Sequence, residues 1–128
     1  MTTPPAWSPD ELAAFGAADE VRLAVRRTDG TLRRPVTIWL VRVGDDLFVR
    51  SVNGSSATWY RPVQARHEGH LEAGGTGGRD VALELAGPGL DDQIDAAYQA
   101  KYRSYPDTYV NAIIAGAARE TSLRLLPR

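Results

Sequence analysis

The segment from Val36 to Val43, Val-Thr-Ile-Trp-Leu-Val-Arg-Val, restricts the possible folds more than any other part of the chain. Its β-branched and aromatic residues favour an extended strand over a helix. In its first half, apolar residues occupy both faces of that strand, whereas a strand with one solvated face alternates apolar and polar residues. We therefore predict a strand buried on both sides, between the inside of a barrel and either a helix or a second subunit.

Other parts of the chain show the two-residue alternation of half-buried strands, separated by turns such as Asp29-Gly30 and Gly44-Asp45 and by a flexible glycine-rich turn at 74–78. These further strands are predicted at 20–26, 47–52, 67–73, 81–85 and 121–126. Together with 36–43 they make six strands.

Four short helices are predicted between and around the strands. The first begins after Ser8, which forms a capping box with Glu11 and lies just before Pro9. The others are predicted at 57–61 with a serine cap, from Asp91 with that residue as the cap, and after Pro106. The fold class is therefore α+β, a six-stranded antiparallel β-barrel with short flanking helices. We expect one domain over 1–128, with 1–17 as an N-terminal helical arm.

Composition excludes several classes of function. The chain has no cysteine, which rules out disulfides, thiolate metal sites and thiol nucleophiles. A formal net charge of −1 argues against a nucleic-acid partner. The N-terminus does not resemble a signal peptide, and no apolar run reaches the roughly 20 residues that cross a bilayer, so we expect a cytoplasmic protein without a membrane partner.

Fourteen of the fifteen basic residues are arginine, and Lys101 is the only lysine. The planar guanidinium suits phosphate and carboxylate, so this bias is compatible with an anionic ligand, although coding bias explains it as well. The adjacent pair Arg33 and Arg34 stands at the entry to the apolar strand. The alternative for this pair is a solvated strand end paired with Asp29 or Asp45.

Three segments carry a family resemblance: Arg33 to Leu47, Trp59-Tyr60-Arg61-Pro62, and Gln64 to His70. They resemble the domain-of-unknown-function 2255 family. The resemblance continues through Ala97 to Tyr102 and the Leu123-Arg124-Leu125 strand, so it covers nearly the whole chain. It implies a fold more than a function.

A more distant similarity is to the deazaflavin-dependent nitroreductases of the flavin-binding split-barrel class. The shared feature is the order of elements: basic turn, apolar strand, Gly-Asp hairpin, strand, small polar loop, then a Trp-aromatic pair. This resemblance implies a split barrel, a homodimer, and deazaflavin or FMN as the cofactor. It implies that Arg33 and Arg34 contact the cofactor phosphate and that Trp59 begins a shielding helix. The residues implied to line the ring or ribityl chain are Ser51, Val52, Asn53 and Gly54.

The polar loop 51–56 has an interpretation from its residues alone. Its glycine and backbone amides suit an anion or a ring edge, and the alternative is a plain capped loop.

The two histidines, His67 and His70, are predicted to lie on a strand, where their spacing points them to opposite faces. With no third evident ligand, we predict no metal site. His67 is a candidate general acid or base, haem on one histidine is a further option, and a solvated strand end is the alternative.

Four tyrosines, at 98, 102, 105 and 109, recur at helical spacing beside Lys101. Tyr98 and Tyr102 are candidate proton donors, with packing of their rings against the core as the alternative.

The leading hypothesis is a small oxidoreductase that binds a flavin or deazaflavin. The turn before Arg33 and the position of Pro62 depart from the nitroreductase pattern, which keeps two alternatives open. One is a cofactor-free isomerase, lyase or cyclase that uses the same pocket. The other is a non-catalytic module that binds a small molecule.

Overall fold

The computed structural model describes residues 6–73 and 76–128, which form one antiparallel sheet and a set of short helices. The strands are β1 (Val21–Val25), β2 (Val36–Ile38), β3 (Leu40–Val43), β4 (Asp46–Val49), β5 (Glu68–Ala73), β6 (Thr76–Leu85) and β7 (Leu123–Pro127). Their order in the sheet is β2-β1-β5-β6-β7-β4-β3. Every pair of neighbouring strands is antiparallel.

The sheet is nearly closed into a barrel because its two edge strands are consecutive in the chain. β2 pairs with β1, with Val36 opposite Leu23, and β3 pairs with β4, with Leu40 opposite Val49. Only Trp39 separates the two edge strands. The prediction of one continuous strand at 36–43 is therefore wrong, and so is the count of six strands. The segment changes pairing partner at Trp39, and the bend that this requires divides it into two strands.

The described residues include four α-helices that pack against the sheet, and the first begins as predicted. They are α1 (Pro9–Ala17), α2 (Asp91–Lys101), α3 (Asp107–Ile113) and α4 (Gly116–Arg119), with 3₁₀ turns at Gly54–Ser56, Arg61–Gln64 and Pro88–Leu90. The Ser8 and Glu11 side chains form the predicted capping box of α1.

Three details of the predicted helices and turns are wrong. No helix occupies 57–61, since Ala57 to Tyr60 lie between two 3₁₀ turns, and no serine caps either turn. Asp91 is the first residue of α2 rather than its side-chain cap. In the glycine-rich segment, Thr76 to Gly78 belong to β6, whereas Gly74 and Gly75 lie outside the described residues.

The apolar side chains form two cores, one on each side of the sheet. Inside the barrel, buried residues from all strands except β2 pack with Leu12 and Phe15 of α1. Outside it, Val41 and Phe48 pack against α2 and α3. Leu40 belongs to the inner core and Val41 to the outer one, so the predicted burial on both faces is confirmed for β3, with helices covering its outer face. It is wrong for the first half of the segment, because the residues of β2 are partly buried or exposed. The predicted α+β antiparallel barrel is confirmed.

Candidate functional site

An apolar groove of about 480 Å³ lies on the outer side of β2, next to α3. Trp39, Trp59 and the two tyrosines Tyr105 and Tyr109 supply its aromatic surface. The remaining lining residues are Val36, Thr37, Ile38, Arg50, Val52, Asn53, Ala112 and Ile113. Its size falls in the range typical of small-molecule sites, roughly 300–1,000 Å³.

A second groove, of about 630 Å³, adjoins the first and carries positive charge. The two grooves share Val36, Asn53 and Trp59 in their linings. Arg27, Arg33 and Arg34 line the second groove, together with Pro35, Ser56, Ala57 and Thr58. We call the first the aromatic groove and the second the arginine groove.

Hydrogen bonds within the turn between β1 and β2 hold the arginines at this edge of the barrel. The Arg33 amide donates to the Val25 carbonyl at 2.9 Å, which continues the pairing beyond β1. The Arg27 guanidinium donates to Thr31 Oγ1 and to the Leu32 carbonyl, at 3.3 and 2.9 Å. The Arg33 main chain and the Arg27 side chain thus fix the turn, and no described residue accepts a hydrogen bond from the guanidinium of Arg33 or Arg34.

Within the described part of the chain, no carboxylate lies within 4 Å of the guanidinium of Arg33 or Arg34. The Asp29 carboxylate instead accepts hydrogen bonds from the backbone and hydroxyl of Thr31, at 2.9 and 2.7 Å. These hydrogen bonds are the main reason that the pKa of Asp29 lies below its usual value. Asp45 lies 3.5 Å from Arg42. The ion pairs offered as the alternative for Arg33 and Arg34 are therefore not formed.

The loop 51–54 divides into residues that support the site and residues that face it. Ser51 is buried, its amide donates to Thr121 Oγ1 at 2.8 Å, and its hydroxyl donates to the Gly54 carbonyl at 2.8 Å. Gly54 has φ +77°, a conformation that side chains disfavour. These two residues shape the loop, whereas Val52 and Asn53 line the grooves.

Of the seven residues predicted to hold a cofactor, the structure brings five to the two grooves: Arg33, Arg34, Val52, Asn53 and Trp59. Sequence reasoning missed Arg50, which follows β4 and is only 1% exposed. Its guanidinium donates to Ser122 Oγ at 2.8 Å and forms ion pairs with Asp91 and Asp95. Two sequence features could have revealed the contact of Arg50 with Asp91 and Asp95. The arginine directly follows a buried strand, and the two acids lie four residues apart on one helix.

The four tyrosines at 98, 102, 105 and 109 are divided between the core and the aromatic groove. Tyr98 and Tyr102 are fully buried, and their hydroxyls donate to the carbonyls of Trp39 and Asp19, at 3.2 and 2.7 Å. Burial raises the pKa of both phenols well above the usual range. Tyr105 and Tyr109 line the aromatic groove instead. The role of Tyr98 and Tyr102 as proton donors stays a prediction, with their rings placed for packing.

Lys101 and Trp39 pack around the ring of Tyr102. Trp39 stacks on that ring with centroids 3.9 Å apart and planes 5° apart. Lys101 Nζ donates to the Leu40 carbonyl at 2.6 Å and lies 5.2 Å from the centroid of the ring. Desolvation of this ammonium lowers the pKa of Lys101 to about 8.

Neither histidine lines either of the two grooves. His67 is exposed just before β5. His70 lies on β5, with Nδ1 2.9 Å from Asp80 and Nε2 3.3 Å from Glu72. Within residues 6–73 and 76–128, no group of three or more His, Asp or Glu side chains is arranged to hold a metal ion. The same ranges contain no helix with the length and hydropathy needed to cross a membrane.

Comparison with protein families matches residues 11–125 to a family described as "Uncharacterized protein conserved in bacteria (DUF2255)". The chain therefore belongs to this family. None of the curated proteins matches the chain by sequence.

Several solved structures share the fold at low sequence identity. The conserved hypothetical protein Rv2991 from Mycobacterium tuberculosis aligns with a TM-score of 0.68 and 14% identity, over 100% of this chain and 85% of that one. A heme storage protein, HutZ from Vibrio cholerae, has a TM-score of 0.64 and 10% identity, over 94% and 89% of the two chains. An FAD-binding protein from Mesorhizobium loti has a TM-score of 0.57 and 20% identity, over 99% and 94%. At these identities the similarity establishes the barrel fold alone.

Proposed function

We propose that this DUF2255 protein binds a flavin- or deazaflavin-type cofactor across the two joined grooves and acts as a small oxidoreductase. The observation that carries the proposal is the juxtaposition of an aromatic groove with arginines that have no carboxylate partner among the described residues. A ligand with an aromatic ring at one end and an acidic group at the other matches that arrangement.

The arginine groove supports the acidic end of such a ligand. Arg33 and Arg34 can each donate charge-assisted hydrogen bonds to a phosphate or carboxylate. The Asn53 side chain stands where the two grooves meet and makes no hydrogen bond to another described residue. Its amide offers both a donor and an acceptor to the chain that connects ring and acid.

The aromatic groove supports the ring. Trp59 is half-buried and borders both grooves, with its ring 5.7 Å from that of Tyr60. Val52 and Tyr109 are 48% and 59% exposed, so apolar surface there remains open to a partner. Covering this surface with a planar ring would remove it from water, which favours binding.

The lining residues of the aromatic groove are also compatible with redox chemistry that the cofactor itself carries. Among the described residues, the aromatic groove is lined by no His, Asp or Glu. A bound flavin or deazaflavin supplies hydride transfer itself, and the protein then contributes binding, orientation and exclusion of water. The same observation supports the non-catalytic binding module as the second candidate.

The lining of the two grooves supports flavin more than haem for this chain. One relative in the comparison is described as FAD-binding and another as a heme storage protein. Neither His67 nor His70 lines the aromatic or the arginine groove, so no histidine of the described residues is placed as a haem ligand there.

We also propose that the protein is a homodimer, which light scattering would distinguish from the 13.9 kDa monomer. A cytoplasmic location remains an expectation.

The proposal is tested by titrating the purified protein with FMN and with the deazaflavin while tryptophan fluorescence is recorded. Two of the three tryptophans, Trp39 and Trp59, line the aromatic groove, so a ring bound there should quench emission in a saturable way. In the double variant Arg33→Ala, Arg34→Ala we expect the affinity to fall by about tenfold or more, since hydrogen bonds to charged groups contribute roughly 1.5–3 kcal/mol.

Arg103→Ala is the matched control, because this exposed arginine lines neither groove. It should bind both cofactors as the wild type does. Turnover of a reduced or oxidised cofactor with a small-molecule acceptor then separates the oxidoreductase from the binding module. Absence of saturable quenching by either cofactor would contradict the proposal.

A further inference from the structure

A third groove, of about 580 Å³, continues the arginine groove away from the aromatic end. The two share Arg27, Arg33 and Thr58 in their linings. The third groove adds Arg61 and Gln64, which lie in the second 3₁₀ turn. The three grooves therefore form one continuous track along the outside of the barrel, with the aromatic rings at one end and Arg61 at the other.

The charges along this track are unbalanced. Within the described residues, Arg27, Arg33, Arg34 and Arg61 have no carboxylate within 4 Å, and no acidic residue lines the second or third groove. Arg26, which also lines the third groove, is already paired with Asp80 at 3.2 Å. Four uncompensated arginines are concentrated here, although the whole chain has a net charge of −1.

The positions of these four arginines indicate how many anionic groups they can bind. Arg34 lines only the arginine groove and Arg61 only the third groove, while Arg27 and Arg33 stand between them. A single terminal phosphate held by Arg33 and Arg34 would leave Arg61 without an anion. A diphosphate places two adjacent anionic centres in one chain and suits guanidinium groups in two adjoining grooves.

We propose that the cofactor is of the dinucleotide type, with a chain that carries a second anionic group beyond the one nearest the ring, and that Arg61 binds this second group. This inference rests on the proposed function for the ring, but the anion site at Arg61 is defined by its own residues. Arg61 determines which length of anionic chain the protein prefers.

Two measurements on the purified full chain test the inference. In the first, dissociation constants for riboflavin, FMN and FAD are measured by tryptophan quenching for the wild type and for Arg61→Gln. We expect FAD to bind about tenfold more tightly than FMN in the wild type. In Arg61→Gln we expect that difference to disappear while the affinity for FMN stays within about twofold of the wild-type value.

In the second measurement, the shift in thermal midpoint is recorded with inorganic phosphate and with tripolyphosphate at equal ionic strength. Tripolyphosphate should bind the wild type more tightly than phosphate does, because its further anionic groups can reach Arg61. A ligand that binds the native state more tightly raises the thermal midpoint more. Arg61→Gln should lose that advantage. Arg103→Gln removes the same charge outside the grooves and should retain it, and unliganded midpoints equal to the wild type show that both variants are folded.

The outcomes separate this inference from the proposed function. Equal affinities for FMN and FAD that do not depend on Arg61, with no Arg61-dependent effect of tripolyphosphate, would overturn the second anion site while ring binding stands. If no flavin binds but tripolyphosphate stabilises the wild type and not Arg61→Gln, the anion site stands and the flavin proposal fails.

Discussion

Replacing Arg50 by methionine tests the interior charge network that joins the barrel to the helices beside the aromatic groove. The Arg50 side chain is fully buried, and it binds residues from three parts of the chain. It donates to Ser122 Oγ before β7 and to the carbonyls of Asp91 in α2 and Ile113 in α3, at 2.8, 3.2 and 3.2 Å. Methionine has similar length and can fill the space, but it replaces none of these hydrogen bonds.

The expected loss of stability in Arg50→Met follows from the carboxylates that the variant leaves without a partner. Removing one partner of a buried ion pair costs about 3–5 kcal/mol, because the other charge stays buried without compensation. Here the side chains of Asp91 and Asp95 are 19% and 21% exposed, and the Arg119 guanidinium lies 3.1 Å from Asp95. Both facts reduce the penalty, so we expect Arg50→Met to lower the free energy of unfolding by about 3 kcal/mol, the low end of that range.

The assay is equilibrium unfolding in urea, with Arg42→Met as the matched control. Arg42 lies on the neighbouring strand and pairs with Asp45 at 3.5 Å, but its side chain and that of Asp45 are 42% and 92% exposed. An exposed pair contributes about 0–1 kcal/mol, so the control should unfold close to the wild-type midpoint. With m near about 1.5 kcal/mol/M, Arg50→Met should shift the midpoint by about 2 M without changing m.

A loss below about 1 kcal/mol in Arg50→Met, equal to that of Arg42→Met, would refute the reasoning. That result would mean that Asp91 and Asp95 are hydrated well enough to need no partner.

Two further predictions concern the interface between α2 and the barrel. The pKa of Lys101 is lowered to about 8 in the folded chain, below the unfolded value of 10.5. Between these pH values the unfolded state binds the Lys101 proton more tightly than the folded state does. The free energy of unfolding should therefore rise with pH, by about 2 kcal/mol. Lys101→Met should abolish this rise, and a flat wild-type profile of urea midpoints from pH 8 to 10 would contradict the desolvation argument. Tyr102→Phe removes the hydrogen bond to the Asp19 carbonyl and Tyr98→Phe the one to Trp39, so each should cost about 1 kcal/mol in the same assay. If either variant instead lost turnover with an unchanged urea midpoint, its phenol would act as a proton donor, as the sequence suggested.

The local elements could be predicted because their causes lie within a few residues. The capping box of Ser8 and Glu11 acts over three positions, and the alternation in β1, β5 and β7 is visible in short windows. The apolar segment at 36–43 correctly predicted burial on both faces for its second half, β3, but not for β2. Its division at Trp39 could not be predicted, because it depends on which strands pair with each half.

Part of the candidate site was also accessible from the sequence. Arg33, Arg34, Asn53 and Trp59 were selected from a resemblance in the order of elements, and the structure gathers all four around the arginine groove. The sequence did not indicate that Arg61 would continue that surface, because the pairing of β1 with β2 determines how the turn after β1 faces the 3₁₀ turn.

By itself the sequence determined the fold class and the absence of thiol chemistry, since composition and short-range periodicity are sufficient for these. The candidate anion-binding arginines came from a resemblance in the order of elements. Only the tertiary structure decided which polar groups are neutralised. Arg50 meets Asp91 and Asp95 across more than forty positions, whereas Arg33 and Arg34 meet no carboxylate in the described chain. Coulomb interactions depend on distance in space and on exclusion of water, and strand pairing sets both between residues far apart in the chain.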